Sequence, residues 1–269
     1  MLYEYKNYTA DIQYLTNTFV REYDISKANI NVLYSNKVID KSTYEYLYNA
    51  ERMTRQIFVG KLQQGNSEVT NILQNGIIEA KKQLFESNYI KDYEVLSIKN
   101  DAVFIIDRQL KYTDFGLIKF LCKNQYTSFY RINNLELYYY YNTVTKEENI
   151  DIKGISDEKL KLHDKYMLQL IKDVFYAIQV LGVENAIKML KDFYFEYINY
   201  QLPVEYYRNF NTDSMYRYKF RSKYTDLSYY LNNATDNIKR DLDINYNLSI
   251  ITALQKILMS IYFNNHRMQ

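Results

Sequence analysis

Two β-rich runs, 95–98 and 102–106, are joined by only Lys99-Asn100-Asp101. Asn-Asp between such runs is a tight hairpin signal, so the two segments are expected to pair antiparallel. Set among long helical stretches, that hairpin fixes the expected class as α+β with an antiparallel sheet. Three further strands are expected at 117–122, 126–132 and 135–141, turning at Asn124 and at Asn133-Asn134. Residues 138–141 read as a strand buried on one face.

Upstream of the hairpin the apolar spacing is helical. From Ser26, residues Ile30, Leu33 and Tyr34 share one face. Ser42 is read as an N-cap with Glu45 at the capping-box position, opening a helix through 46–49 that continues over 51–62. Gly65 interrupts it. A long helix then covers 68–86, with Val69, Ile72, Leu73, Ile77, Ala80 and Leu84 as its apolar stripe. The polar stretch 143–157 is the expected domain boundary, leaving domains at 1–155 and 156–269. The second is expected to be helical, with helices at 163–181, 184–200, 227–242 and 247–263.

Composition limits the chemistry. The chain has 269 residues and a net charge of only +2, so a nucleic-acid site must be a local patch rather than a global field. A single cysteine, Cys122, excludes a disulfide framework and a Cys-based zinc site, and it is expected to be an inert core residue. Two histidines, His163 and His266, leave no His-rich metal site. Catalysis, if any, falls to carboxylates, Lys/Arg and Tyr. Neither an apolar leader nor 18 consecutive apolar residues occurs, so the expected location is the cytoplasm. The richness in Tyr, Asn, Ile and Lys suggests AT-rich coding, as in low-GC bacteria and their phages.

Nucleotidyl transfer needs divalent ions held by hard oxygen ligands on rigid elements. An Asp at a strand end beside another in a hairpin turn is the economical arrangement. Asp24, closing a strand, and Asp101, in the hairpin, supply both. Taken singly, Asp24 also reads as a helix N-cap and Asp101 as a turn former.

The run Asp24-Ile25-Ser26-Lys27-Ala28-Asn29-Ile30-Asn31-Val32-Leu33 resembles motif A of family-A DNA polymerases, D-Y-S-Q-I-E-L-R-V-L. Ile98-Lys99-Asn100-Asp101-Ala102-Val103-Phe104 resembles their motif C, V-H-D-E-V-V-F, with Asn100 and Ala102 in place of His and Glu. Gln74 and Gly76 stand in the helix that precedes motif C. The resemblance implies a polymerase-like palm with an antiparallel sheet and reduced fingers, followed by a C-terminal helical domain. It implies a minimal, phage-type, template-directed nucleotidyl transferase in which Asp24 and Asp101 are catalytic and bind Mg²⁺ or Mn²⁺. Nucleoside triphosphates and a DNA or RNA template are the implied partners. Asn29 stands where the family places the Glu that crowds the sugar 2′ position. The fingers pattern R-x-x-x-K-x-x-x-F-x-x-Y-G is absent; Arg52, Arg55 and Lys61 take its place as triphosphate ligands, or as an ordinary solvated face. The alternative is a non-catalytic nucleic-acid-binding accessory protein on a degenerate palm.

A second cationic cluster at 206–224 interleaves rings with Arg208, Arg217, Lys219, Arg221 and Lys223. That pattern suits single strands, cations meeting phosphates and rings stacking bases. Lys99 beside Asp101 is a candidate for primer phosphate. Lys119, Lys123 and Arg131 read equally as nucleic-acid contacts or plain surface.

Overall fold

In the computed structural model, which describes residues 1–155, 160–161, 163–208 and 244–267, the chain is α+β with two antiparallel sheets. The strands are β1 (Asn7–Thr9), β2 (Tyr14–Leu15), β3 (Val20–Ile25), β4 (Val95–Lys99), β5 (Ala102–Ile106), β6 (Asp114–Phe115), β7 (Ile118–Tyr126), β8 (Ser128–Ile132), β9 (Leu135–Tyr141) and β10 (Glu148–Lys153). The helices are α1 (Ala28–Ser35), α2 (Lys41–Asn49), α3 (Arg52–Gln63), α4 (Ser67–Asn88), α5 (Met167–Tyr176), α6 (Val183–Ile198) and α7 (Ile244–Arg267). No helix among the described residues is long and apolar enough to cross a membrane.

The chain forms two compact units, residues 1–12 with 18–126 and residues 13–17 with 127–269. The division falls at 126/127, not at the expected 155/156. The reason lies in packing: side chains of β8 and β9, such as Tyr130, Leu137 and Tyr139, share one core with Phe175, Leu190 and Leu254 of the helices. The polar stretch expected to mark the domain boundary contains β10, an edge strand pairing with β9 from Glu148↔Tyr141 to Lys153↔Glu136.

The first unit is a six-stranded sheet in the order β1-β4-β5-β3-β7-β6. Helix α4 lies along it. Ala80, Leu84 and Phe85 meet Tyr23, Ile98, Val103, Ile105 and Phe120 of the strands in one core. A second, smaller core joins the helices, with Ile30, Val32 and Leu33 of α1 against Leu47, Val59, Val69 and Leu73. Gly76 permits this. A Cβ there would lie 2.3 Å from a Val32 methyl, so only glycine lets α1 and α4 come this close.

Local sequence explains most boundaries. Asp40, not Ser42, caps α2: its Oδ1 accepts from the Thr43 amide at 2.8 Å and from the Ser42 hydroxyl at 3.0 Å. The expected continuous helix over 46–62 is two helices, because Ala50 and Glu51 take extended backbone between them. Asn66 caps α4 by accepting from the Glu68 and Val69 amides. The turn expected at Asn124 does not form, since β7 runs through it to Tyr126.

Candidate active site

Register brings the two aspartates together. Asp24 on β3 pairs with Ala102 on β5, the residue after Asp101. The two-residue turn Asn100-Asp101 closes the β4–β5 hairpin, Asn100 taking the left-handed backbone (φ 54°) that Asn tolerates. The Asn100 amide donates to the Lys6 carbonyl at 2.8 Å, tying the turn to the chain entering β1. The carboxyl groups of Asp24 and Asp101 are close enough to interact by charge and as side-chain hydrogen-bond partners. Burial pushes the Asp101 carboxyl up to about 6, and the Asp24 charge adds to the shift.

Both aspartates open on a cavity of about 890 Å³ whose walls all belong to the first unit. Five cations line it, Lys6, Lys27, Arg52, Arg55 and Lys123, against the two carboxylates. A chain that is almost neutral overall thus concentrates positive charge here. Ala28, Asn29 and Ile30, the first turn of α1, form part of the wall, and no side chain caps that helix end. Val59, Leu73 and Ile77 give the cavity an apolar side, with Gln56, Gln63 and Gln74 beside them. The loop under the aspartates is braced from behind. Asn31 Nδ2 donates to the Ser26 carbonyl at 2.7 Å, and the Tyr44 hydroxyl donates to Asn31 Oδ1 at 3.1 Å.

Of the residues singled out from sequence, Asp24, Asp101, Asn29, Arg52 and Arg55 share this cavity. Lys61 and Lys99 are not part of its lining. Lys61 is exposed further along α3, and Lys99 Nζ donates to Thr9 Oγ1 at 3.1 Å. Arg208 lies in the second unit, half-buried, its carbonyl accepting from Asn247 Nδ2. Arg217, Lys219, Arg221 and Lys223 lie outside the described residues. Tyr207 is no base platform: it is fully buried and donates to the Tyr197 carbonyl at 3.0 Å. Residues 138–141 are buried on both faces of β9 except Tyr140, rather than on one. Cys122, expected in the core, is exposed and lines the cavity.

The sequence reading gave no site role to Lys6, Lys27 or Lys81 and left Lys123 undecided. Lys123 is the extra residue of a β-bulge in β7, where Glu22 faces Asn124 but Tyr23 faces Cys122. Bulges re-aim a side chain, and Lys123 Nζ lies 3.6 Å from Asp24 Oδ2. The bulge is anchored by buried Glu22, which accepts from Asn124 Nδ2 at 2.6 Å and from the Tyr126 hydroxyl at 3.1 Å. Lys81 on α4 is buried, donates to the Tyr5 carbonyl at 2.6 Å and feels the Asp101 charge; burial pulls its ammonium down to about 8. No local sequence signal marks Lys123 or Lys81, because both depend on register and packing.

A search of curated proteins finds no match. A family model does match, over residues 1–260, and by that match the chain belongs to the Bacteriophage PBS1 gene 130 protein family.

Proposed function

We propose that the first unit is a polymerase-like palm with reduced fingers, and that the protein is a template-directed nucleotidyl transferase of phage origin. The observation that carries this reading is the register of Asp24 against Ala102, which sets two carboxylates side by side in a basic cavity. The donor set fits a magnesium or manganese ion. Two adjacent carboxylates offer hard oxygens whose mutual repulsion a cation relieves, and Mg²⁺ is commonly held by one or two carboxylates with substrate phosphates completing its shell. When bound there, such ions would neutralise charge developing on the transferring phosphate and lower the barrier to 3′-hydroxyl attack.

The remaining roles belong to the chain itself. Arg52 and Arg55 offer guanidinium forks to a triphosphate. The amides opening α1 add donors and the positive end of its dipole at the same wall. Asn29, on that first turn and in the cavity wall, takes the sugar in this reading. DNA, or RNA, is the template this reading requires. Asp24→Ala and Asp101→Ala should each abolish incorporation of labelled nucleotide on a primed template, with circular dichroism unchanged. Incorporation that survives both substitutions rules the reading out.

Two observations favour the second reading, a non-catalytic nucleic-acid-binding accessory protein on a degenerate palm. Among the described residues no group of three His, Cys, Asp or Glu side chains gathers to hold a metal, and Asn100 and Ala102 flank Asp101 where motif C has ligand-like neighbours. On that reading the protein retains nucleic acid but incorporates nothing in the same assay.

A further inference from the structure

The acid pair already has a cation on it. Lys123 Nζ stands 3.6 Å from Asp24 Oδ2, and its charge also bears on Asp101. Three other cations nearby are tied to backbone carbonyls. Lys27 Nζ donates to the Tyr48 carbonyl and sits 3.4 Å over the Tyr48 ring. Lys81 is fixed to the Tyr5 carbonyl, and Arg55 Nη1 to the Ala50 carbonyl. Lys123 differs in being half-exposed on a flexible stem, with the cavity in front of it. It is also aimed by construction, since the bulge that turns it toward Asp24 is held by buried Glu22.

We propose that Lys123 is the resident counter-ion of the aspartate pair, holding Asp24 in the free protein and releasing it to a divalent cation, after which its ammonium turns to a nucleotide phosphate in the same cavity. This rests on the metal-binding reading of Asp24 and Asp101. The physics is competition for one carboxylate. A lysine within ion-pair distance satisfies part of the pair's charge, so a metal must displace it. The displaced ammonium, compact and on four rotatable bonds, stays within reach of any phosphate the cavity holds. An exposed ion pair is weak, and weakness is what an exchangeable occupant requires.

The two halves of the proposal have opposite signs, which separates them from simple damage to the fold. In calorimetric titrations Lys123→Met should bind Mn²⁺ about threefold to fivefold more tightly than the wild type, the range an exposed ion pair supplies. The same variant should bind a deoxynucleoside triphosphate, without metal, severalfold more weakly. Lys123→Arg, which keeps the charge, should restore both values toward wild type. If the wild type takes up Mn²⁺ and Lys123→Met binds it no more tightly, the counter-ion role is wrong while the metal site stands. If neither protein takes up Mn²⁺, both the role and the metal site fall.

Discussion

Asp101 holds its proton far longer in the folded chain than an ordinary aspartate does, and the consequence for stability has a definite sign. Burial and the Asp24 charge push its carboxyl up to about 6 in the folded chain, from 3.8 for an ordinary aspartate. Between these values the folded state binds more protons than the unfolded one, so stability falls as pH rises through roughly 4 to 6 and stays reduced above it. The full shift corresponds to at most about 3 kcal/mol. Asp101→Asn, which can donate a hydrogen bond to Asp24, should therefore raise the melting temperature by several degrees at pH 7.5 and by almost nothing at pH 4. Scanning calorimetry at both values checks this; an equal gain at both would mean that charge is not the cause. Excess Mg²⁺ or Mn²⁺ should shrink the gain at pH 7.5, because it stabilises only the wild-type pair. The two aspartates were legible in the sequence because a strand end and a hairpin turn each leave a local mark. Lys123 and Lys81 were not, since what places them is a register shift and a buried contact 76 residues away in the chain.

Among the elements, α1 and α4 form part of the cavity wall, and one glycine sets their separation. Gly76→Ala gains roughly 0.5–1 kcal/mol of helix propensity but drives a methyl to 2.3 Å from Val32, an overpacking that costs about 1–3 kcal/mol. The net effect should be a loss of about 1–2 kcal/mol in denaturant unfolding. It should shrink in the double variant Gly76→Ala/Val32→Ala, where the second change makes room. Additive losses would show that the two helices do not meet there. Because α1 begins four residues after Asp24, the single variant should also weaken Mn²⁺ binding. The stripe of α4 was readable from periodicity, and Val69, Leu73, Ala80 and Leu84 are indeed buried. The extent of β7 was not, since pairing with β3 and the Glu22–Asn124 bond override the turn preference of Asn124. Nor was β10, whose Glu-Asn-Ile-Asp-Ile-Lys sequence is polar because only one face of an edge strand meets the core.

For the whole molecule, the distribution of charge matters more than its sum. A net +2 on 269 residues gives almost no long-range field, so attraction for a nucleic-acid strand is set by cations gathered locally. Two such gatherings stand out, one made by the fold and one along the sequence. One is the cavity of the first unit, with its five cations; the other is the 206–224 cluster, of which 209–224 lies outside the described residues. Their contributions separate by salt dependence. For a single strand, the slope of log K against log[salt] is about −0.7 per phosphate neutralised, so a strand held by the cavity alone cannot exceed a slope of about −3.5. With no triphosphate present to occupy the arginines, Arg52→Gln/Arg55→Gln should then flatten the slope by about 1.4, and Arg217→Gln/Lys219→Gln/Arg221→Gln should leave it unchanged. The reverse result, with the arginines of α3 neutral to the slope and the later cluster steepening it, would move the strand off the aspartates. Fluorescence anisotropy of a labelled oligonucleotide across a salt series reads both outcomes. The first is the one consistent with a site where Asp24 and Asp101 face a strand whose phosphates reach the arginines when no triphosphate occupies them.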